Sequence, residues 1–343
     1  MRAFLLGGTR FVGLRLVRAL SAAGHQVTIL NRGRRQADLP PGVERLEADR
    51  RDPDAVRRAL GGRRRDFDVV FDVTGYQTAN LEPVVDVLGE NVRRYVFISS
   101  FAVYARPQTF PIREDFPLVE PGEKSGGLDA YGADKVRCER FLLQAHRERD
   151  LPVAILRSPG IYGPENWMDD REGSYFARLE MGRRILVAGK GETLVHCGHV
   201  DDIAAACIAV AEAEETAGEV FNVAGPEAIT VNGFLDAMAD AVGVAARKVY
   251  IPYGEGRESI DGLLPYASER SVVHSIEKLT RVTRFSPLYD VRSGMAHTYA
   301  WWRGHRGLER IRFEPGKLGH DVDLAAEDAL IARWDVAGAQ AAS

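Results

Sequence analysis

A glycine-rich turn between a short apolar strand and an amphipathic helix constrains the fold more than any other feature of the chain. The apolar run Ala3–Leu6 leads into this turn, a helical pattern follows over 11–23, and a second apolar run begins at Gln26. Glycines in this setting let backbone amides approach a pyrophosphate at the positive end of the helix. The order predicts a dinucleotide-binding βαβ unit whose cofactor contacts come from Gly7, Thr9, Arg10, Phe11, Val12 and Gly13.

Short apolar runs continue to alternate with amphipathic stretches as far as about residue 156. This alternation predicts a parallel sheet with helices on both faces, which is a Rossmann-type doubly wound α/β fold. Beyond Gly163 the order loosens, which indicates a smaller C-terminal substrate-binding lobe. We expect the dinucleotide-binding domain at 1–163 with later strands from about 195–225, the substrate lobe at 164–311 and a C-terminal tail at 312–343.

The charge balance and the cysteines limit the compartment and the partners. The 45 basic and 49 acidic residues give a formal net charge of -4, so no global positive field attracts nucleic acid or a membrane surface. No apolar run is long enough to cross a bilayer, and the first apolar run is too short for a signal peptide. Three cysteines without paired spacing, and no convincing ligand set, predict a reduced cytoplasmic protein without a metal site.

The end of the second strand bears on the choice of cofactor. Asn31 stands where an acidic residue would bind the ribose hydroxyls of NAD, and Arg32 follows it. Without a carboxylate to repel a 2′-phosphate, and with arginines nearby, we expect NADP(H) to be slightly favoured over NAD(H). Asn31 can also bind a ribose hydroxyl, and Arg32 can stack on adenine instead. Asp49, after the third strand, either contacts the adenine amino group or is an ordinary loop residue.

Tyr131 and Lys135 form the pair that points most directly to chemistry. Residues four apart share one face of a helix, so the ammonium can lie near the phenol oxygen and lower its pKa. Tyr131 then becomes a usable general acid or base. Ser99 and Ser100 follow the predicted strand at 95–98, and a hydroxyl at the carboxyl end of a parallel strand faces the ligand crevice, which makes Ser100 a candidate for the same site.

These motifs resemble those of extended short-chain dehydrogenases, the NAD-dependent epimerase/dehydratase family, over roughly residues 1–310. The resemblance rests on the order of the segments Gly7–Gly13, Ser100–Tyr104, Tyr131–Lys135, Arg157–Pro164, His199–Asp202 and Val220–Val223. It implies that Ser100, Tyr131 and Lys135 are catalytic, that Lys135 also holds the nicotinamide ribose, and that the protein is a homodimer. It also implies a sugar or a nucleotide-linked sugar as the substrate.

Two departures from the family pattern bear on function. Arg10 stands at the usual middle glycine, as in chloroplast Rossmann proteins that bind RNA, so an RNA-binding or regulatory protein is one alternative. Phe101 and Ala102 occupy the places of the Asp-Glu pair of the dTDP-glucose dehydratase branch, which argues against dehydration through a transient ketone, the other alternative.

The sequence therefore predicts an NAD(P)-dependent oxidoreductase or epimerase that acts on a secondary alcohol of a small-molecule substrate, with nucleic acid not expected as a partner. Four residues after the strands are candidates to line its substrate pocket. They are Phe101, Tyr162, Asn166 and Trp167.

Overall fold

The computed structural model describes residues 1–35, 37–106, 109–120, 128–166, 171–253, 270–305 and 324–341. Its strands are β1 (Arg2–Leu6), β2 (Gln26–Asn31), β3 (Glu44–Glu47), β4 (Val69–Asp72), β5 (Arg94–Ser100), β6 (Val153–Ser158), β7 (Ile161–Tyr162), β8 (Ile185–Ala188), β9 (Leu194–Val195), β10 (Gly198–His199), β11 (Glu219–Asn222), β12 (Ile229–Thr230) and β13 (Lys248–Ile251). Its helices are α1 (Phe11–Ala22), α2 (Pro53–Leu60), α3 (Thr78–Leu88), α4 (Leu128–Arg149), α5 (Glu172–Glu180), α6 (Val200–Glu212), α7 (Val231–Val242), α8 (Glu277–Thr283), α9 (Val291–His305) and α10 (Leu324–Ala341).

Two compact units make up the chain, and neither is continuous in sequence. The first comprises 1–161, 198–224 and 274–288, and the second comprises 162–197, 225–273 and 289–343. The domain limits that the sequence predicts, at residues 163 and 311, remain predictions.

A seven-stranded parallel sheet forms the centre of the first unit. Its strand order is β11-β6-β5-β4-β1-β2-β3, so the order reverses between β1 and β4. In such sheets ligands bind outside the carboxyl ends of the strands at the point of reversal. The predicted Rossmann-type fold is confirmed.

Side chains along each strand alternate between two apolar cores, one on each face of the sheet. In β1, Ala3 and Leu5 pack with α1 and α6, whereas Phe4 and Leu6 pack with α2, α3 and α4. Both faces of these strands are covered, which explains why they are almost continuously apolar in sequence. Strand β5 runs on to Ser100, so this serine ends the strand rather than following it.

The second unit has its own core and two small strand pairs. Strands β8 and β13 are parallel, and β9 and β12 are antiparallel. Helices α5, α7 and α9 pack around a core that includes Phe176, Phe234 and Trp302. Helix α10 adds Ile331 to a cluster with Leu186 of β8 and Ile251 of β13. Among the described residues, no helix combines the length and the apolarity needed to cross a bilayer.

Candidate active site

The glycine turn predicted from the sequence follows β1 directly. Gly7 and Gly8 have φ angles of +117° and +91°, which side chains other than glycine rarely adopt. A Cβ on Gly13 would lie 2.7 Å from the backbone nitrogen of Gly8, so this glycine lets helix α1 approach the turn closely. Phe11, the first residue of α1, also has a positive φ of 37° and strains the backbone, as binding turns often do.

This turn has the form that a dinucleotide pyrophosphate requires. Arg10 is the N-cap residue of α1, and its side chain makes no hydrogen bond that caps the helix, so it does not satisfy the first-turn amides. Amides in this position bind phosphate oxygens. Thr9 is half-buried in the turn, and Val12 packs against the core below it.

Asn31 lies at the carboxyl end of β2, on the same edge of the sheet as the glycine turn. Its Oδ1 accepts a hydrogen bond from the Gly33 amide at 2.8 Å, whereas its buried Nδ2 has no hydrogen-bond partner among the described residues. An unsatisfied buried donor is costly, so a ligand oxygen at this position would relieve that cost.

Two arginines from the segment after β2 act on Arg10, the residue before helix α1. Burial lowers the pKa of Arg10, and the charges of Arg35 and Arg32 lower it further. Arg32 and Arg35 therefore both lie within electrostatic range of Arg10. Such a cluster attracts a doubly charged phosphate.

Asp49, in the loop after β3, forms an ion pair with Arg51. Its carboxylate accepts hydrogen bonds from the Arg51 backbone amide at 3.0 Å and from the guanidinium at 2.8 Å. These bonds lower the pKa of Asp49 to about 2, so the carboxylate is ionised at neutral pH. The predicted adenine contact stays a prediction.

Ser100 and Tyr131 are brought together by a glycine on helix α4. A Cβ on Gly132 would lie only 2.0 Å from the Ala102 carbonyl oxygen, so the helix backbone can pack directly on the short turn after β5. Ser100 lies near enough to Tyr131 to lower the pKa of its phenol, and the Ser100 hydroxyl accepts a hydrogen bond from the Ala102 amide at 3.2 Å. A serine and a tyrosine 31 residues apart in sequence therefore share one site.

The pKa of Tyr131 changes in the direction opposite to the sequence-based expectation. Burial raises it to about 12, Tyr76 adds to the rise, and Ser100 opposes it. The expectation that Lys135 lowers this pKa was wrong, because burial of the phenol is the largest influence and the charge of Lys135 is not among the others. The phenol is thus protonated at neutral pH and can donate a hydrogen bond or a proton.

Lys135 is 2% exposed and lies beneath the phenol. Its Nζ donates hydrogen bonds to the carbonyl oxygens of Gly75 and Ile98, each at 2.7 Å, and it is 5.9 Å from the centre of the Tyr131 ring. Burial lowers its pKa to about 8, while the charge of Asp72 is the largest influence in the other direction.

Tyr76 borders the same site, and sequence reasoning missed it. Its ring centre is 6.3 Å from that of Tyr131 and 5.2 Å from Nζ of Lys135, and the residue is 53% exposed. Its place in the sequence could have indicated this, because Tyr76 comes four residues after the end of β4, and ligands bind outside the carboxyl ends of the strands.

The four residues predicted to line the substrate pocket occupy different surroundings. Phe101 is half-buried next to Ser100, with its ring against His274 at 5.9 Å. Tyr162 is 2% exposed and packs edge-on against Phe234 in the core of the second unit. Asn166 is buried, and its Nδ2 donates to Glu172 at 2.7 Å. A part for Tyr162 and Asn166 in a substrate pocket stays a prediction, and Trp167 lies outside the described residues.

The doubly wound sheet carries a glycine turn after β1, at the point where the strand order reverses. A Ser-Tyr-Lys group lies at the end of β5, next to β4. Together these features define an enzyme of the short-chain dehydrogenase type. Residues 3–224 match the model of the NAD dependent epimerase/dehydratase family, and the chain belongs to this family. The resemblance inferred from the motifs and the expectation of an enzyme are thereby confirmed.

Relatives of known name span most of the chain. The chloroplast stem-loop binding protein of 41 kDa b from Arabidopsis thaliana is 28% identical over 349 residues, which cover 97% of this chain and 84% of that protein. The 2'-dehydrokanamycin reductase from Streptomyces kanamyceticus is 25% identical over 332 residues, which cover 95% and 88%. The solved UDP-glucose 4-epimerase from Thermotoga maritima has a TM-score of 0.72 at 20% identity, with 89% of this chain and 99% of that chain covered, and it shares the fold.

Proposed function

We propose that this protein is an NAD(P)-dependent oxidoreductase or epimerase that acts on a secondary alcohol, or the corresponding ketone, of a sugar or nucleotide-linked sugar. The observation that carries the proposal is that Ser100 acts on the Tyr131 phenol while Nζ of the buried Lys135 lies 5.9 Å from the centre of the Tyr131 ring. This group lies at the end of β5, two strands from the glycine turn that follows β1.

Each member of the group has a separate task. The Tyr131 phenol gives its proton to the oxygen of a ketone, or takes one from an alcohol in the reverse direction. Ser100 donates to the same oxygen and orients it. The Lys135 ammonium stabilises the phenolate that proton transfer leaves, and it holds the nicotinamide ribose. The bound nicotinamide supplies the hydride chemistry.

The substrate class is supported by the relatives and by the residues beside Ser100. The named relatives include a reductase of an oxidised aminoglycoside and a UDP-glucose 4-epimerase from Azospirillum brasilense, which is 30% identical over 48% of this chain. Phe101 and Ala102 bring no acid or base next to Ser100 for an elimination step. These residues favour hydride transfer, with or without return of the hydride, over dehydration.

We further propose that NADP(H) is preferred over NAD(H). The support is that Arg32 and Arg35 lie within electrostatic range of Arg10, and that β2 ends in Asn31 rather than in an acidic residue. We expect Arg32→Ala to weaken NADPH binding by roughly tenfold while NADH binding changes little, because only NADPH carries the 2′-phosphate. Arg34→Ala is the matched control, since its charge is not among those that act on Arg10.

The function is tested by following a labelled hydride. The protein is incubated with 2'-dehydrokanamycin and other keto-sugars together with NADPH deuterated at either face of C4, and separately with UDP-glucose and NAD. A product alcohol one mass unit heavier indicates reduction, and an epimer formed without accumulation of reduced cofactor indicates internal return. Failure to bind either NADPH or NADH would overturn the proposal.

RNA binding is the second candidate function, and one observation favours it. The relative named as a chloroplast stem-loop binding protein aligns with 97% of this chain, and Arg10 adds a cation at the nucleotide turn. A labelled RNA stem-loop is titrated with the protein at several salt concentrations. Binding that persists at physiological salt and competes with NADPH supports this function, whereas its absence there dismisses it.

A further inference from the structure

A buried ion pair beneath the site has no part in the roles described so far. Arg50, in the loop after β3, donates to both carboxylate oxygens of Asp72 at the end of β4, at 2.6 and 2.8 Å. The Asp72 side chain is fully buried, that of Arg50 is 12% exposed, and the phenol of Tyr95 donates to the same carboxylate at 2.9 Å.

The pair is linked to the glycine turn. Arg50 also donates to Oγ1 of Thr74 at 2.7 Å, and the Thr74 hydroxyl in turn donates to the carbonyl oxygen of Leu6 at 3.0 Å. The Thr74 methyl group lies against Gly7, because a Cβ on that glycine would be 3.0 Å from it. Arg50 thus fixes the loop that abuts the first residue of the turn.

The pair also reaches α3 and the carbonyl that holds Lys135. Arg50 donates to the Asn80 carbonyl oxygen at 3.0 Å. An Asp72 carboxylate oxygen lies 3.1 Å from where a Cβ on Gly75 would be, and the Gly75 carbonyl accepts a hydrogen bond from Lys135. The Arg50–Asp72 ion pair therefore connects the glycine turn with the loop that holds Lys135. Both parts of the candidate site must contact the same cofactor.

Charged and titratable groups face Lys135 from several elements. Asp72 of β4 and, within α4, Cys138 and Glu139 raise its pKa, whereas Arg50 and burial lower it. The rings of Tyr76, Phe97 and Tyr131 surround the ammonium. Asp72 is the strongest of the influences that keep the lysine charged, and Arg50 opposes it.

Stability alone is a weak reason for such a pair. Burying both charges costs solvation, and a well-packed apolar pair serves stability equally well in many proteins. We propose that Arg50 and Asp72 are positioning residues of the cofactor site, which fix the glycine turn and set the balance of charge around the Lys135 ammonium. This inference rests on the proposed function, since it requires that Lys135 binds the cofactor.

The test is the pH dependence of NADPH binding, measured by fluorescence titration of the full chain between pH 6 and pH 10. If the cofactor binds the charged lysine, the dissociation constant rises above the pKa of Lys135 in the free protein. Asp72→Asn leaves Arg50 uncompensated, so this rise moves to lower pH by about one unit or more. Arg50→Met leaves Asp72 uncompensated, so the rise moves to higher pH, and the double variant returns it towards the wild-type position.

A merely structural role of the ion pair would weaken NADPH binding in both variants and leave unchanged the pH at which the dissociation constant rises. Shifts of that pH in opposite directions in Asp72→Asn and Arg50→Met therefore distinguish the positioning role from a structural one. Lys135→Met should abolish the rise, which assigns it to this lysine. Asp68→Asn is the matched control, because Asp68 pairs with the exposed Arg2 at 2.7 Å, and it should leave the rise unchanged.

Thermal unfolding shows whether each variant folds. If the neutral variants do not fold, Arg50→Lys tests the contacts to the loops alone, because it keeps the charge but loses the two-pronged contact. It should leave the pH of the rise unchanged and weaken NADPH binding about tenfold or more at every pH, since two hydrogen bonds to the loops are lost. A folded Arg50→Lys protein with wild-type NADPH affinity would overturn the positioning role.

The outcomes separate the two claims. If the wild-type protein binds neither NADPH nor NADH, the proposed function is wrong and this inference falls with it. If the wild-type protein binds NADPH while the folded variants keep the wild-type rise and affinity, only the positioning role of Arg50 and Asp72 is overturned.

Discussion

Replacing Gly132 by alanine should separate helix α4 from the strand end that carries Ser100. The added Cβ would lie 2.0 Å from the Ala102 carbonyl oxygen and 2.8 Å from its carbon. A carbon and an oxygen in contact need about 3.3 Å, so the helix and the turn must move apart by about 1.3 Å. Both partners are backbone, so no side-chain rotation relieves the contact.

The cost should fall on turnover more than on stability. Tyr131 precedes Gly132 on the helix and moves away from Ser100 with it, and a misplacement of about 1 Å at a reacting group costs roughly 100-fold in rate. We therefore expect kcat/KM to fall about 100-fold, which corresponds to about 2.7 kcal/mol of activation free energy. Alanine is favoured over glycine within a helix by about 1 kcal/mol, which offsets part of the strain in the folded state.

The assay compares kcat/KM for a substrate found with the labelled-hydride experiment, together with thermal unfolding. Gly304→Ala is the matched control, since it places the same methyl group in helix α9, where the added Cβ meets nothing within 4 Å among the described residues. It should keep wild-type turnover. A Gly132→Ala protein with wild-type kcat/KM would refute the argument that this close approach builds the site.

Two further predictions concern stability. Burial raises the pKa of the Cys207 thiol to about 12, so above pH 9 the unfolded chain loses this proton before the folded one and stability falls as the pH rises. Between pH 8 and pH 10 the loss from this thiol is about 1.4 kcal/mol, and urea unfolding of Cys207→Ala should show a decline smaller by that amount. Within the second unit, Glu327→Ala should destabilise by about 3–5 kcal/mol, because the buried Arg178 loses its 2.8 Å carboxylate partner, whereas Asp328→Ala at the exposed end of the same cluster should cost under about 1 kcal/mol. An equal loss of urea stability in both variants would contradict this.

The sequence predicted the secondary structure of the first unit well because local rules govern it. The helical pattern predicted over 11–23 agrees with α1 to within one residue, and β2 begins at Gln26, where the second apolar run was predicted to begin. An apolar period and a glycine turn before the helix are both properties of neighbouring residues. The candidate site followed from the same logic, since the carboxyl ends of parallel strands meet at one edge.

Properties that depend on distant parts of the chain were not predictable in this way. Tyr162 was a candidate pocket residue because it follows a strand, and its packing in a core with Phe234, 72 positions later, is visible only in the folded chain. The direction of the Tyr131 pKa depends on burial, which no spacing of residues reveals. Arg50 was one of many arginines in the sequence, and only the adjacency of the loop after β3 to the end of β4 pairs it with Asp72.

The central claim is that Tyr131 transfers the proton, and Tyr131→Phe tests it most directly because only the phenol oxygen is removed. Turnover of the identified substrate and the NADPH dissociation constant are measured for the variant and the wild-type protein. The account predicts that kcat/KM falls roughly 1,000-fold, within the usual contribution of a positioned general acid, while NADPH affinity stays within about threefold. A variant that folds, binds NADPH and keeps wild-type turnover would contradict it.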